Sequence, residues 1–457
     1  MRSVWIVRAY SGLQVLLLLG CGANPSPIHR IDQAATVKIQ ATSNTPIHSE
    51  ASSDTKHPAN WPALFGADRT SHTSFPLTPT WTSEGPPLIW EVEVGTGYGS
   101  PVTADGKVIV NYRDGDEEFV QCHDVETGEQ IWQHRYPTAA VCEFEYSDGP
   151  YSTPIIDETS GRVFNVGAQG QMQCLELDSG KEMWSRDLHQ EYDVDADIFP
   201  VGASPILDRD SSHEGGQLIF NLGAISTVAG IVSLDARTGE TIWQATDHGP
   251  SYATPVVARI HDQRFAFVLT DFGLVCLDPD TGKVDWEFEY RRRGDLTRNA
   301  TSPLVHGNHV LVVCSGLGAL DIEVMPDRSY REHWRDRRSI DSQYNTLILG
   351  DDHVYSFTSG GQGGAEFRCV DLTDGKITWK YHSVLKRGMG FATENSIILL
   401  GEKGHLASMV KTPQDPEVIS FTRSPLMAEP CYCSPAFYGD MLFLKDEQRL
   451  AAFRLRE

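Results

Sequence analysis

Three groups of side chains in this sequence have types and spacings that chemistry could use. Asp193, Asp195 and Asp197 alternate through "YDVDADIF", Tyr192 to Phe199. Alternate carboxylates are candidates for Ca²⁺, a hard cation that gathers about six to eight oxygen ligands. The central Gly and terminal Glu of an EF-hand loop are missing, however, and a solvated acidic loop reads the same way. Arg291, Arg292 and Arg293 open "RRRGD", which reads as a solvated turn rather than a phosphate site. The third group is the cysteines. Cys122, Cys174, Cys276 and Cys369 recur within one phrase and read as small buried hydrophobes. Cys142, Cys431 and Cys433 lie elsewhere. In an oxidising compartment one pair of them could bridge, with the pairing left open. No Ser-His-Asp, His-Glu-x-x-His, Walker or Gly-x-Gly-x-x-Gly constellation stands out, "GGQGG" (Gly360 to Gly364) lacks a P-loop Lys, and Cys122-His123 is not part of a haem site.

The elements that must position these groups form a repeat. "CLDPDTGKVDW", Cys276 to Trp286, returns as "CHDVETGEQIW" from Cys122, "CLELDSGKEMW" from Cys174, "SLDARTGETIW" from Ser233 and "CVDLTDGKITW" from Cys369. Recurrence of this kind marks a repeat architecture. Each unit opens on a small-residue-Pro step, at Pro101, Pro154, Pro205, Pro255 and Pro303, and again at Pro435. Pro suits a strand start, where no ladder donor is needed. Two apolar strands follow, joined by turns such as Asp105-Gly106 or Gly307-Asn308. A third strand carries the Cys or Ser and ends in the Asp-x-x-Thr-Gly turn, and a fourth carries Trp. The spacing predicts four antiparallel strands per unit, which is the grammar of a propeller blade.

The count predicts an all-β, eight-bladed β-propeller. Degenerate openings at Asn345 and Gly390 supply the sixth and seventh starts, and the alternative of seven blades merges these two. Trp132, Trp184, Trp243, Trp286, Trp334 and Trp379 close the first six blades, and "PEVISF" from Pro416 stands in for the seventh. The last blade stops at "RLAAFRLRE" with no fourth strand. "PPLIWEVEV", Pro86 to Val94 with Trp90, is the N-terminal strand that closes the ring and removes a free edge.

Length and composition bound the rest. The chain has 457 residues, 40% hydrophobic and 22% charged, with a formal net charge of −24. That composition is globular, and the acidity disfavours nucleic acid and anionic lipid surfaces as partners. Residues 1–21 read as a secretory signal: Arg2 and Arg8, an apolar run from Leu13 to Leu19, then Gly20 and Cys21. "LLGC" resembles the lipobox of bacterial lipoproteins, which makes Cys21 the expected lipidation site. Residues 22–60 contain no Leu, Phe, Tyr or Trp. They read as a disordered tether that cannot offset its ordering entropy, with a propeller over residues 61–457.

The Asp-x-x-Thr-Gly-x-x-x-Trp phrase resembles the tryptophan-docking motif of the PQQ-like (pyrroloquinoline-quinone repeat) β-propeller family. "WPALFGADRT", Trp61 to Thr70, is similar to the leader of such propellers in bacterial envelopes. The resemblance implies that Trp90, Trp132, Trp184, Trp243, Trp286, Trp334 and Trp379 lock neighbouring blades, with Gly128, Gly180, Gly239, Gly282 and Gly375 in the docking turns. It also implies one of two functions. One is a lipid-anchored, non-enzymatic scaffold of the BamB type, a monomeric propeller that binds envelope proteins in outer-membrane assembly without a cofactor. The other is a quinoprotein alcohol dehydrogenase that holds PQQ and Ca²⁺ on the propeller axis. No adjacent Cys-Cys pair supplies the disulfide on which such enzymes usually stack the quinone, and the spacing of Cys431 and Cys433 would strain one. The lipobox and the bare repeats favour the scaffold.

The loops before the Pro steps share one face of a propeller. Those before blades two and three carry Glu143, Glu145, Asp148, Asp193, Asp195 and Asp197. Those before blades five and seven carry Arg291, Arg292, Arg293, Arg298, Lys386 and Arg387. The expectation is a face polarised from acidic to basic, a pattern that orients a partner more than it adds affinity.

Overall fold

A computed structural model describes residues 60–194, 199–292, 299–345, 347–358, 364–382 and 384–455. Cys21 with the rest of the N-terminal segment, and Asp195, Asp197, Arg293 and Arg298, lie outside the described residues. Blade one sets the pattern, with a short inner strand Val102–Ala104 followed by Lys107–Asp114, Glu117–Asp124 and the outer Gln130–Pro137. Six more four-stranded antiparallel blades follow from Ile155, Ile206, Val256, Leu304, Ile348 and Gly388. The sixth and seventh units are separate sheets, so there are eight blades and not seven. Blade seven starts at Gly388, slightly ahead of the expected Gly390. One helical turn, Leu188–Glu191, interrupts the β-structure and is capped by the Asp187 carboxylate accepting from Gln190 N at 3.0 Å.

Blade eight joins the two ends of the chain. Ala436–Tyr438, Met441–Lys445 and Arg449–Arg454 are completed by Leu88–Glu93, which pairs antiparallel with the last strand from Leu88 opposite Phe453 to Glu93 opposite Arg449. Both partners of an edge pair are thus satisfied, and no strand is left open at the seam.

Two recurring contacts hold neighbouring blades together at most boundaries. The first is the indole on a left-handed glycine. Gly180 has φ +68°, and a Cβ there would fall 2.4 Å from the Trp132 ring. Gly128 faces Trp90, Gly239 faces Trp184, Gly282 faces Trp243 and Gly375 faces Trp334 in the same way. Each of these indoles also donates Nε1–H to a carbonyl of the same neighbouring turn: Trp90 to Val125 at 2.9 Å, Trp132 to Leu177 at 2.8 Å, Trp184 to Ala236 at 3.3 Å, Trp243 to Pro279 at 2.9 Å and Trp334 to Leu372 at 2.8 Å. Trp379 donates to Thr412 O of blade seven at 2.9 Å. Trp286 differs, because blade five carries Arg328 (φ +67°) in its turn and the indole packs instead on Tyr330 at 4.6 Å.

The second contact is a belt of hydroxyls around the axis. At four boundaries the residue before the Pro donates its backbone N–H to the hydroxyl of its counterpart in the next blade. Ser434 N bonds Ser100 Oγ at 2.8 Å, Ser100 N bonds Thr153 Oγ1 at 3.0 Å, Thr153 N bonds Ser204 Oγ at 2.9 Å and Thr254 N bonds Ser302 Oγ at 2.9 Å. Each is worth about 1 kcal/mol net, but together they fix the spacing of the inner strands.

The leader crosses the axis before it reaches the seam. Trp61 bridges Thr103 of blade one and packs between Phe391 and Phe437 at 5.1 and 5.0 Å. The chain then bonds blade six through Thr70 O to Leu349 N and blade seven through Ser71 O to Ala392 N. Farther on, the Thr393 and Ser408 hydroxyls of blade seven donate to Leu77 O and Pro79 O.

The docking contact generates a graded expectation. Trp132→Ala lowers unfolding free energy by roughly 3–5 kcal/mol, the range for large aromatics removed from a core. Gly180→Ala costs roughly 1–3 kcal/mol from strain and collision with the ring. Gly106→Ala, at a left-handed turn where a Cβ would meet nothing within 4 Å, costs less than Gly180→Ala. Chemical denaturation of the three variants gives the order; equal losses at Gly180 and Gly106 would remove the docking role.

Candidate functional site

The loops and inner-strand ends on the Pro-step face enclose a recess of about 480 Å³ around the axis. Its walls come from one recurring position, three residues before the Pro step. That position is Tyr98, Tyr151, Tyr252 and Tyr432 in blades one, two, four and eight. Tyr344 holds it in blade six, where Leu347 replaces the Pro. Blades three and five have Gly202 and Ala300 there. The small residue in blade three is required, since a Cβ at Gly202 would lie 2.3 Å from the Tyr252 ring.

The rings touch in series. Tyr344 meets Tyr432 at 5.0 Å, Tyr432 meets Tyr98 at 5.1 Å, Tyr98 meets Tyr151 at 4.7 Å and Tyr151 meets Tyr252 at 6.1 Å. The series continues outward, with Tyr252 against Phe199 at 6.1 Å and Phe199 stacked on Phe144 at 5.1 Å. Most are edge-on or tilted, the arrangement aromatic quadrupoles prefer. At the outer end the loop of blade one turns apolar groups to solvent, with Val141 72%, Phe144 45% and Tyr146 52% exposed. Leu64 and Phe65 of the leader also line the recess.

Polar groups in the recess are few. Arg387 is the one charged side chain among its described lining residues. It is held from behind by Glu402 (Nε to Oε2, 2.7 Å) and Gln343 (3.3 Å), with its guanidinium 5.1 Å from the Tyr344 ring centre. Burial is the main reason that Tyr98, Tyr151, Tyr344 and Tyr432 all ionise above the ordinary tyrosine range. A second cavity of about 730 Å³ opens between blades two and three and shares Phe199, Gly202 and Tyr252 with the recess.

The residues picked out by sequence fall in several places. Asp193 takes φ +51° beside the second cavity, and its backbone carbonyl accepts from Ser226 at 3.3 Å. Arg291 pairs with Glu289 at 3.4 Å and lies over the Phe272 ring, and Arg292 packs by Gly316. Asp148 pairs with Arg113 at 3.3 Å. The separation of acidic and basic loops is therefore partly neutralised, because Asp148, Arg291 and Arg387 each have a counterion close by. The cysteines Cys122, Cys174, Cys276 and Cys369 are buried on third strands, and Cys142, Cys431 and Cys433 are free thiols, as is Cys314. No bridge joins the candidate trio.

The tyrosine ring was missed in the sequence although its signal was present, as an aromatic at constant distance from each Pro. Its burial makes a prediction. Unfolded tyrosine loses its proton near pH 10, whereas the recess phenols hold theirs to higher pH. Above that pH the unfolded chain binds fewer protons, so stability falls as pH rises through and beyond about 10 and is untouched below it. Ultraviolet titration should show a class of phenols that ionises only on unfolding. A full set titrating like free tyrosine would mean the recess is open to water.

A family model described as outer membrane protein assembly factor BamB matches residues 116–381. A quinoprotein ethanol dehydrogenase of Pseudomonas aeruginosa is 23% identical over 312 residues, 58% of this chain and 45% of that protein. An outer membrane protein assembly factor BamB of Moranella endobia is 30% identical over 148 residues, 32% of this chain and 31% of that protein. The chain thus spans less than half the length of either curated relative. In fold, the crystal structure of BamB from Moraxella catarrhalis superposes with a TM-score of 0.55 at 15% identity, covering 81% of this chain and 98% of that one. With eight blades, docking indoles in register and a match over more than half its length, the chain belongs to the PQQ-like β-propeller family whose model is described as outer membrane protein assembly factor BamB.

Proposed function

We propose that this protein is an envelope scaffold that clasps an apolar, aromatic-bearing segment of a partner in outer-membrane protein assembly. The observation that carries the reading is the continuous run of rings from the half-buried Tyr344–Tyr432 pair to the exposed Phe144 and Tyr146. Tyr and Arg dominate the residues that contribute most to protein–protein binding, and rigid rings lose little entropy on contact. A surface of this kind, leading from solvent into a recess, suits a partner side chain that anchors inside while its backbone lies across the loop. In this reading Cys21 carries the lipid and residues 22–60 give the propeller its reach from the membrane. The likeness to proteins named as outer membrane assembly factors supports the same role.

The dehydrogenase reading draws support from the quinoprotein relative and from the flat aromatic walls. Its chemistry needs Ca²⁺ beside the quinone, and Ca²⁺ calls for carboxylate and carbonyl oxygens. No carboxylate lines the recess among the described residues; Glu402 stands behind Arg387 and is engaged by it. The donor set therefore does not fit PQQ with Ca²⁺, and the scaffold is the better reading.

A photo-reactive residue at Phe144 or Tyr146 should capture a component of the outer-membrane assembly machinery. The same residue at Ile131, exposed on the outer strand of blade one, should not. Phe144→Ser with Tyr146→Ser should weaken binding of the captured component about 10- to 100-fold. Saturable absorbance changes with pyrroloquinoline quinone and Ca²⁺, together with alcohol-dependent dye reduction, would overturn the scaffold. Incorporation of labelled fatty acid that survives Cys21→Ser would overturn the anchor.

A further inference from the structure

Blade five departs from the repeat at one position. The third-strand residue paired with the docking Trp is Cys122, Cys174, Ser233, Cys276 or Cys369 in five blades and Ala452, opposite Trp90, in blade eight. All are small and uncharged. In blade five the residue opposite Trp334 is Asp321, whose side chain is 0% exposed. A buried carboxylate is costly unless its charge is compensated. No Lys or Arg reaches this one among the described residues. It is ringed by imidazoles instead.

His306 Nε2 lies 2.7 Å from Oδ1, while His309 Nδ1 and His333 Nδ1 lie 2.7 and 2.9 Å from Oδ2. The fold makes this convergence deliberate. His306 and His309 flank the Gly307-Asn308 turn as the last register pair of their hairpin, which stacks the two rings at 5.2 Å. His333 is the extra residue of the outer-strand bulge, between Trp334 and Glu332. The same bulge holds the apolar Ile131, Met183, Ile242 and Ile419 in four other blades, Asp285 in blade four and Thr378 in blade six. A bulge re-aims its side chain, and here it brings an imidazole to the carboxylate. Blade five thus places a carboxylate where the other Trp-paired positions carry a small uncharged residue, and brings three imidazoles to it.

We propose that His306, His309 and Asp321 form a binding site for a first-row divalent transition metal, Zn²⁺ foremost, with His333 orienting the carboxylate. The donor atoms of the three ligands lie within 4.8 Å of one another. Two imidazoles and a carboxylate are the donor set of Zn²⁺ sites that keep an open position. Zn–N and Zn–O bonds of about 2.0–2.1 Å would set neighbouring donors roughly 3.3 Å apart in tetrahedral geometry, so the His–Asp contacts of 2.7 Å would open slightly. The divalent charge compensates the buried carboxylate. His333 donates to Oδ2, as partners of ligating groups do, and at 35% exposed it stands on the solvent side of the cluster. The antiparallel order of the strands puts this hairpin on the disc face opposite the recess, so the site stands independently of the scaffold reading.

The full chain, stripped with a chelator, should bind one equivalent of Zn²⁺ by calorimetry and give Co²⁺ visible absorption bands of a low-coordinate nitrogen–oxygen site. The variant His306→Gln with His309→Asn keeps amide N–H donors near the original ring nitrogens, preserving the hydrogen bonds while removing the ligands. Asp321→Ser restores the kind of residue the repeat uses. Both should fold, by circular dichroism in chelator, and lose that equivalent, with affinity down at least about 100-fold. His333→Ala should lose about 10- to 100-fold. A wild-type chain that takes up no equivalent, or folded variants that bind as tightly as wild type, would overturn the site and leave a hydrogen-bonded cluster.

Discussion

The propeller depends on one contact made across its blade boundaries: an indole laid on a glycine that only a left-handed backbone can present. A four-stranded sheet alone buries too little to persist, so each blade must be covered by its neighbours. The indole does this with direction. Its face covers the Gly turn while Nε1–H reaches a carbonyl of that same turn, which fixes both distance and rotation between blades. The rule holds at the seam as well, where Trp90 of the N-terminal strand docks on Gly128 of blade one. The closing strand therefore supplies a lock in addition to hydrogen bonds.

Fixing the angle between blades fixes what converges on the axis. The Ser and Thr belt sits at the residue before each Pro, so the residue two places earlier must point toward the centre of that face. Its size then shapes the recess, with tyrosines where the wall is built and Gly202 or Ala300 where room is left. The leader completes the geometry by packing Trp61 on Phe391 and Phe437, far along the chain. Blade packing, rather than any dedicated loop insertion, builds most of the candidate site.

That division explains what could be read in advance. The eight units, the closing strand and most docking residues were legible because most blades repeat the same Gly, Trp and Pro at the same spacing. The tyrosine ring obeyed the same periodicity and was readable by aligning residues before each Pro, but a side chain's approach to an axis emerges only once the ring is closed. The course of the leader was not legible, since Phe391 and Phe437, on which Trp61 packs, lie far along the chain. Charges misled in part. Arg387 and Arg291 read as a basic edge, yet Glu289 stands two residues before Arg291, and Glu402 meets Arg387 just past the Gly388–Gly401 pair, a partner that depends on register. The histidine cluster was hidden for the same reason, because Asp321 is distinctive only when seen opposite Trp334.

Blade five gathers the exceptions, and they are physically linked. Its turn lacks the docking Gly, so Trp286 of blade four loses both its flat seat and its carbonyl; Nε1 has no partner among the described residues. The boundary is held differently. Arg328 reaches back to Asp285 at 2.8 Å and lies 4.2 Å over the Phe265 ring, while Tyr330 covers the indole. An ion pair with a cation–π contact replaces an indole on glycine, and such contacts respond to salt where the indole does not. The same blade carries a carboxylate at its Trp-paired position. A repeat can tolerate one unit that leaves the consensus, because its neighbours on both sides keep theirs: Trp334 of blade five still docks on Gly375 of blade six. That tolerance is what lets a single blade of a structural repeat acquire ligands of its own.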